Sequence, residues 1–407
     1  DARKLFILSG LENSSKNSFY LGASFRVDGS SRLHRDNRWG TFWSVSGAWR
    51  TIEEEFMQPV KDWLTDLRIR ASYGVNGTLP SDYFGYMGLS SISGGYLEQP
   101  GIQMSQIANP NLKWETNYNM NIGLDFGFWD RLNFTIEYYT RTTKNLLMDC
   151  PVSMTTGFSS YLMNIGEVKN KGIELTINST NIKIKDFNWN TTFNLGHNSN
   201  KVVKLDGEQT QIVSGTQIHK VGSSYRTFYV QEFAGINPET GNPLFYTNEL
   251  DENGNYIKEI TENSKNAQFI PYKHAEPTVN GGISNSLRYK WLDLNFLFSY
   301  QFGGYSTNIE VYMPGKSSSV SMHKITSSRR IHSTDYFRLK NITFGITLPK
   351  EWTNKINIGN VRFYASASNL WTWAAYDNYD PEAVSAGSAT QTTPPLKTVT
   401  FGLNINF

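Results

Sequence analysis

The chain has 407 residues, with 38 Lys and Arg against 36 Asp and Glu, 14% aromatics, 33 glycines and one cysteine. A net charge of +2 gives no bulk case for nucleic acid or an acidic partner. Cys150 alone excludes an intrachain disulfide or a cysteine zinc cluster, and no apolar run approaches the roughly 18 residues of a membrane helix. A β-barrel stays open, because alternation dilutes its hydropathy signal. The first residues, Asp1-Ala-Arg-Lys-Leu-Phe6, carry no h-region and no cleavage site, so the chain is read as mature or as beginning inside a longer protein.

In chain order, apolar residues recur with a period of two. Phe19, Leu21, Ala23, Phe25 and Val27 share one face, as do Leu67, Ile69, Ala71, Tyr73 and Val75. Met120, Ile122, Leu124, Phe126 and Phe128 alternate with Asn119, Asn121, Gly123, Asp125 and Gly127, and Leu132, Phe134, Ile136 and Tyr138 follow after a tight turn. Trp189, Phe193 and Leu195, then Leu292 to Tyr300, then Ile342 to Leu348 continue the series. The last residues, Val399, Phe401, Leu403, Ile405 and Phe407, alternate with small or neutral polar residues. A strand turns alternate side chains to opposite faces, so each segment has an apolar and a polar side. Roughly fifteen such strands near membrane-spanning length predict a transmembrane antiparallel β-barrel, all-β, in one domain over 1–407. Charge is rare on the apolar faces. Arg68, Arg70, Asp125 and Glu137 fall on the other side, as a wet lumen permits.

The connections alternate in length. Around Asn13–Asn17, Arg50–Asp66, Trp129–Arg131, Ser179–Phe187, Pro238–Asn242, Tyr289-Lys290 and Pro349–Asn357 they are short, with one helical turn expected at Ile52–Phe56. The intervening ones are long, as on the outer side of such barrels. This parity requires Leu244–Asn248 to be a strand, and it runs the final strand toward the periplasm.

Several motifs resemble SusC-like proteins, TonB-dependent outer-membrane importers of Bacteroidetes. They are Arg26-Val-Asp-Gly-Ser-Ser31 with Trp39–Trp49, Leu67–Gly77, Asn109-Pro-Asn-Leu-Lys-Trp-Glu-Thr116, Asp125–Leu147, Asn164–Glu174, Gly235–Gly241, and Ser368-Asn-Leu370 through Asp380-Pro-Glu382. Thr78 and Asn145 depart from the usual Asn and Asp, and the first seventeen residues depart from the pattern. The resemblance implies the C-terminal part of a barrel of about 22 strands, whose plug and early strands are not in this sequence. It implies active import of a glycan oligosaccharide or a peptide, the glycan favoured. It also implies a SusD-like lipoprotein, TonB acting through the plug, a dimer of such pairs, and Phe407 as an assembly signal. A passive porin and a secreted β-rich adhesin or glycan-active protein are the alternatives.

No nucleophile–base arrangement and no paired metal-ligand spacing stands out, so no catalytic, cofactor or metal residues are expected. Lys113-Trp-Glu115 and Asp28-Gly-Ser-Ser31 read as loop-orienting clusters, and Asp251–Asn255 as a polar turn rather than a calcium loop. Tyr83, Tyr86, Tyr96, Tyr305, Tyr312 and Tyr376 are candidate contacts for substrate or lid, since aromatic faces stack on sugars and pack partner proteins. An interfacial girdle is the competing reading, favoured for Trp371 and Trp373. Arg68 and Arg70 are expected to face the lumen, meeting a plug carboxylate or lining the transport path.

Overall fold

A computed structural model describes residues 4–15, 18–96, 99–205, 210–307, 327–353, 355, 358–377, 379–389 and 394–406. Its main element is one antiparallel sheet of thirteen strands. They are β1 (Lys4–Ser15), β2 (Phe19–Ser30), β3 (Trp39–Trp49), β4 (Leu64–Thr78), β5 (Glu115–Phe128), β6 (Leu132–Lys144) and β7 (Glu167–Lys183), then β8 (Phe187–Lys204), β9 (Val279–Tyr289), β10 (Leu292–Phe302), β11 (Tyr336–Thr347), β12 (Asn360–Ala374) and β13 (Thr398–Asn406). Each pairs with the next in sequence, so the sheet is a meander without crossovers.

The register puts the alternating residues in line. Leu124 lies opposite Ile69 and Ile136, and Phe126 lies opposite Leu67 and Phe134, with the Phe126 and Phe134 rings stacked at 4.8 Å. The expected faces therefore form, and the apolar one is uncovered. Leu21 is 67% exposed and Phe401 80%, with Ile122, Ile173, Phe344 and Phe363 also exposed. The buried apolar clusters lie elsewhere, at the end of the sheet where the long connections are. One gathers Met148, Cys150, Ile165, Val168, Val202, Leu205 and Ile212; the other gathers Phe228, Val230, Ala275 and Ile331.

The count of thirteen is two below the fifteen expected. Phe233–Ile236 and Pro243–Tyr246 pair with each other, with Ile260–Thr261 beside them, inside the long 205–278 connection. Four-residue strands are too short for a span of ~9–11 residues, so Leu244–Asn248 is not in the wall and Pro238–Asn242 is no wall turn. The parity survives because the two strands are lost as a pair. The other expected short ends hold. At Trp129 and Asp130 the backbone has φ of +51° and +54°, the twist a tight hairpin turn needs. Between β3 and β4 the expected helical turn is 3-10, over Thr51–Glu53 and Glu55–Val60. Phe407 and Tyr312 lie outside the described residues.

Candidate functional site: the polar face and the outer connections

Arg68 and Arg70 stand on the polar face, on neighbouring rungs of β4. Across the sheet Arg68 faces Asp125 and then Thr135, and Arg70 faces Gly123 and then Glu137. Arg68 Nε donates to Asp125 Oδ2 at 2.8 Å. Arg70 grips the same carboxylate through Nε at 2.9 Å and Nη2 at 3.1 Å, and reaches Glu137 at 2.6 Å. A Cβ at position 123 would sit 3.0 Å from the Arg70 guanidinium carbon, so the glycine lets that side chain lie flat across the middle strand. Thr135 and Asn121 donate to Asp125 and Glu137 in turn. The arginines are thus engaged by carboxylates of the wall itself. Glu174 of β7, opposite Glu137, remains exposed.

The same device recurs between β10 and β12, where Arg362 pairs with Asp293 at 2.6 Å across Gly345 of β11. A side chain at Gly345 would collide with both partners. Between these ion pairs the polar face is built of amides and hydroxyls. Asn117, buried, accepts from Arg141 and Thr143 and donates to Thr78. Asn178, Asn194 and Asn200 bond with neighbouring threonine or asparagine side chains.

The candidate tyrosines fall in two places. Tyr83 is half exposed with the Arg32 guanidinium 4.2 Å above its ring, and Arg32 is itself held by the Pro80 and Ser81 carbonyls. Tyr86, on the same connection, meets His34 edge-on at 6.0 Å. Tyr96 ends the hairpin strand Leu89–Tyr96, its backbone opposite Gln99. Tyr305 and Tyr376 belong to a second group. Tyr305, partly buried, packs against the Phe228 cluster with Lys273 Nζ 5.3 Å from its ring. Tyr376 stacks on His332 at 3.7 Å, with Tyr379 at 5.3 Å. Burial, with Tyr376 beside it, pushes the Tyr379 phenol up to about 12. Trp371 and Trp373 sit half exposed on the apolar face, paired with Leu339 and Phe337.

The loop motifs act as staples. Asn164 accepts from the Lys113 N–H and donates to the Lys113 and Asn145 carbonyls. Asn109 donates to the Leu162 carbonyl, Glu115 accepts the Leu147 N–H, and Trp114 donates to the Arg38 carbonyl. Asp28 pairs with Arg26 at 3.0 Å. Asp251 accepts backbone N–H groups of Asn253 and Asn255, closing a polar turn.

One cluster escaped the reading of the sequence. Arg338 on β11, only 3% exposed, bonds Asp380 at 2.8 Å and Glu382 at 2.6 Å. The available signal was an arginine where the β11 alternation breaks, with two acids in the Asp380-Pro-Glu382 motif.

A sequential antiparallel wall with one uncovered apolar face, one polar face and long connections at one end defines a β-barrel of the outer-membrane receptor kind. The chain belongs to the TonB-dependent receptor β-barrel family, whose model, "TonB dependent receptor-like, beta-barrel", matches residues 12–246. It is SusC-like. It is 32% identical to TonB-dependent receptor P3 of Formosa agariphila, over 94% of this chain and 43% of that protein. It is 30% identical to TonB-dependent receptor SusC of Bacteroides thetaiotaomicron, over 98% of this chain and 43% of SusC. Among solved structures it superposes on a chain of the RagAB peptide importer in its closed-closed state with a TM-score of 0.86. That match is 26% identical and covers 99% of this chain and 48% of that one. The chain thus spans less than half the length of these relatives.

Proposed function

We propose that this chain forms part of the wall of an active importer in the outer membrane, taking up a glycan oligosaccharide with a SusD-like lipoprotein as partner. The observation that carries the reading is the uncovered apolar face. Exposed residues such as Leu21, Phe25, Val45, Ile69, Ile122, Phe344 and Phe401 cover the sheet far beyond what a soluble surface tolerates, and a hydrocarbon layer is the environment that covers such a face. The opposite face, mostly neutral amides and hydroxyls, suits a hydroxyl-rich solute that passes without being held by charge. Energy would come through TonB acting on a plug, as the family name implies, and no covalent change of the substrate is involved.

Import of a peptide is the second reading, favoured by the structural likeness to RagAB, a peptide importer by description. The test is uptake of labelled oligosaccharides and oligopeptides by cells carrying the full-length protein, with and without TonB. TonB-dependent uptake of the oligosaccharides is expected. Flux that persists without TonB would overturn active import, and TonB-dependent uptake of peptides alone would replace the glycan.

A further inference from the structure

The connection between β12 and β13 is drawn in toward the polar face of β11 by one buried node. All three donor nitrogens of Arg338 are used: Nε on Thr372 at 3.0 Å, Nη1 on Glu382 at 2.6 Å and Nη2 on Asp380 at 2.8 Å. Glu382 also accepts from the Tyr336 hydroxyl at 3.1 Å and from the Lys340 ammonium, and its backbone N–H caps Asp380 at 2.9 Å. Two carboxylates therefore face two cations and a phenol, with Arg338 and Asp380 almost wholly buried and Glu382 and Lys340 partly exposed. There the loss of one partner strands the rest.

Just beyond this node the same segment joins two other connections. Ser388 pairs with Thr307, whose strand Tyr305–Thr307 also pairs with Ile331–Ser333. The Thr307 N–H donates to the Gly387 carbonyl at 2.9 Å, and Gln217, from the 205–278 connection, donates to the Ala386 carbonyl at 2.7 Å. Gly387 has φ of +82°, and a Cβ there would come within 2.6 Å of the Ala275 Cβ and 3.1 Å of Phe228. Those two residues belong to the apolar cluster that Ile331 and Tyr305 complete.

We propose that Arg338 is a positioning residue for the mouth of the transporter. By fixing the course of residues 379–389, it locks the described parts of three connections, 210–278, 303–307 with 327–335, and 379–389, into one body that docks and moves as a unit. The role at a transport mouth rests on the import reading, whereas the coupling of the three connections rests on contacts alone. Substrate or lid then meets a preformed platform, which lowers the ordering cost of binding.

The test is amide hydrogen exchange of the full-length protein in detergent, comparing the parent with Arg338→Met, Arg338→Lys and Gly387→Ala. Arg338→Met is expected to speed exchange on the order of tenfold or more in 227–231, 269–274, 305–307 and 380–389 together, sparing 89–96. Arg338→Lys restores part of the protection, since an ammonium still reaches one carboxylate. Gly387→Ala, outside the wall, reproduces the joint loss and decides the matter if Arg338→Met does not assemble. Faster exchange confined to 380–389, or none, overturns the proposal. In uptake assays Arg338→Lys raises the half-saturating concentration and leaves the maximal rate per assembled protein unchanged; a fall in maximal rate alone overturns the positioning role. Uptake that ignores TonB would sink the import reading and leave the exchange result standing.

Discussion

At the scale of single residues, Asp125 shows how the polar face is held. Its carboxylate, 7% exposed, receives Arg68, Arg70 and Thr135 at once. Burial by itself would disfavour that charge, so the arrangement stands only while the guanidiniums stay in place. Asp125→Ala leaves two arginines competing for Glu137 and is expected to destabilise the wall by about 3 kcal/mol. Thermal unfolding of the full-length protein in detergent, followed by loss of heat-modifiable gel migration, reads this out. An unchanged midpoint would show that the network adds nothing. The sequence placed Arg68, Arg70, Asp125 and Glu137 on one face through parity alone. It did not pair them, because partners on different strands are set by register.

At the scale of elements, β11 carries the clearest lesson. Ile342 and Phe344 lie opposite Phe296 and Leu294, while Leu339 and Phe337 lie opposite Phe298 and Tyr300. Leu339 and Ile342 are three residues apart yet share a face, so Lys340 is an extra residue that resets the alternation. Such a bulge puts two residues against one and re-aims the side chains beside it. It keeps Leu339 apolar-side and turns Arg338 to the polar side. Without the bulge, an unbroken period of two through Lys340 would put Arg338 on the face read as lipid-facing, at ~2–4 kcal/mol for the charge. Deleting Lys340 removes the extra residue and leaves Leu339 and Arg338 on their present faces, so the deletion is expected to assemble in outer-membrane fractions in amounts close to those of the parent and of Lys340→Gln. A severe loss of assembled protein on deletion alone would refute the reading of Lys340 as the extra residue. The alternation on each side of Lys340 was legible in the sequence. The joint was not, because a bulge is a property of two strands compared.

At the scale of the whole molecule, the sheet has two edges, with β1 and β13 each paired on one side among the described residues. Hydrocarbon offers no water to the free N–H and C=O groups of such edges, and each costs several kcal/mol. Residues 1–407 expressed alone are therefore expected to give no heat-resistant, detergent-stable barrel, while a longer chain that supplies strands for both edges does. A stable barrel from these residues alone would show that β1 and β13 pair with each other. Alternation, the short connections and the apolar last strand were readable because they follow from strand geometry, in which neighbouring side chains point to opposite faces whatever lies around them. The pairing of Leu244–Asn248 was misjudged because a short strand in a loop and one in a wall look alike locally. The sequence by itself determined most of the wall strands and their two faces. The tertiary structure alone decided which charges meet, where the register shifts and how three distant connections interlock. Those contacts join residues tens to more than a hundred positions apart, and no local pattern encodes them.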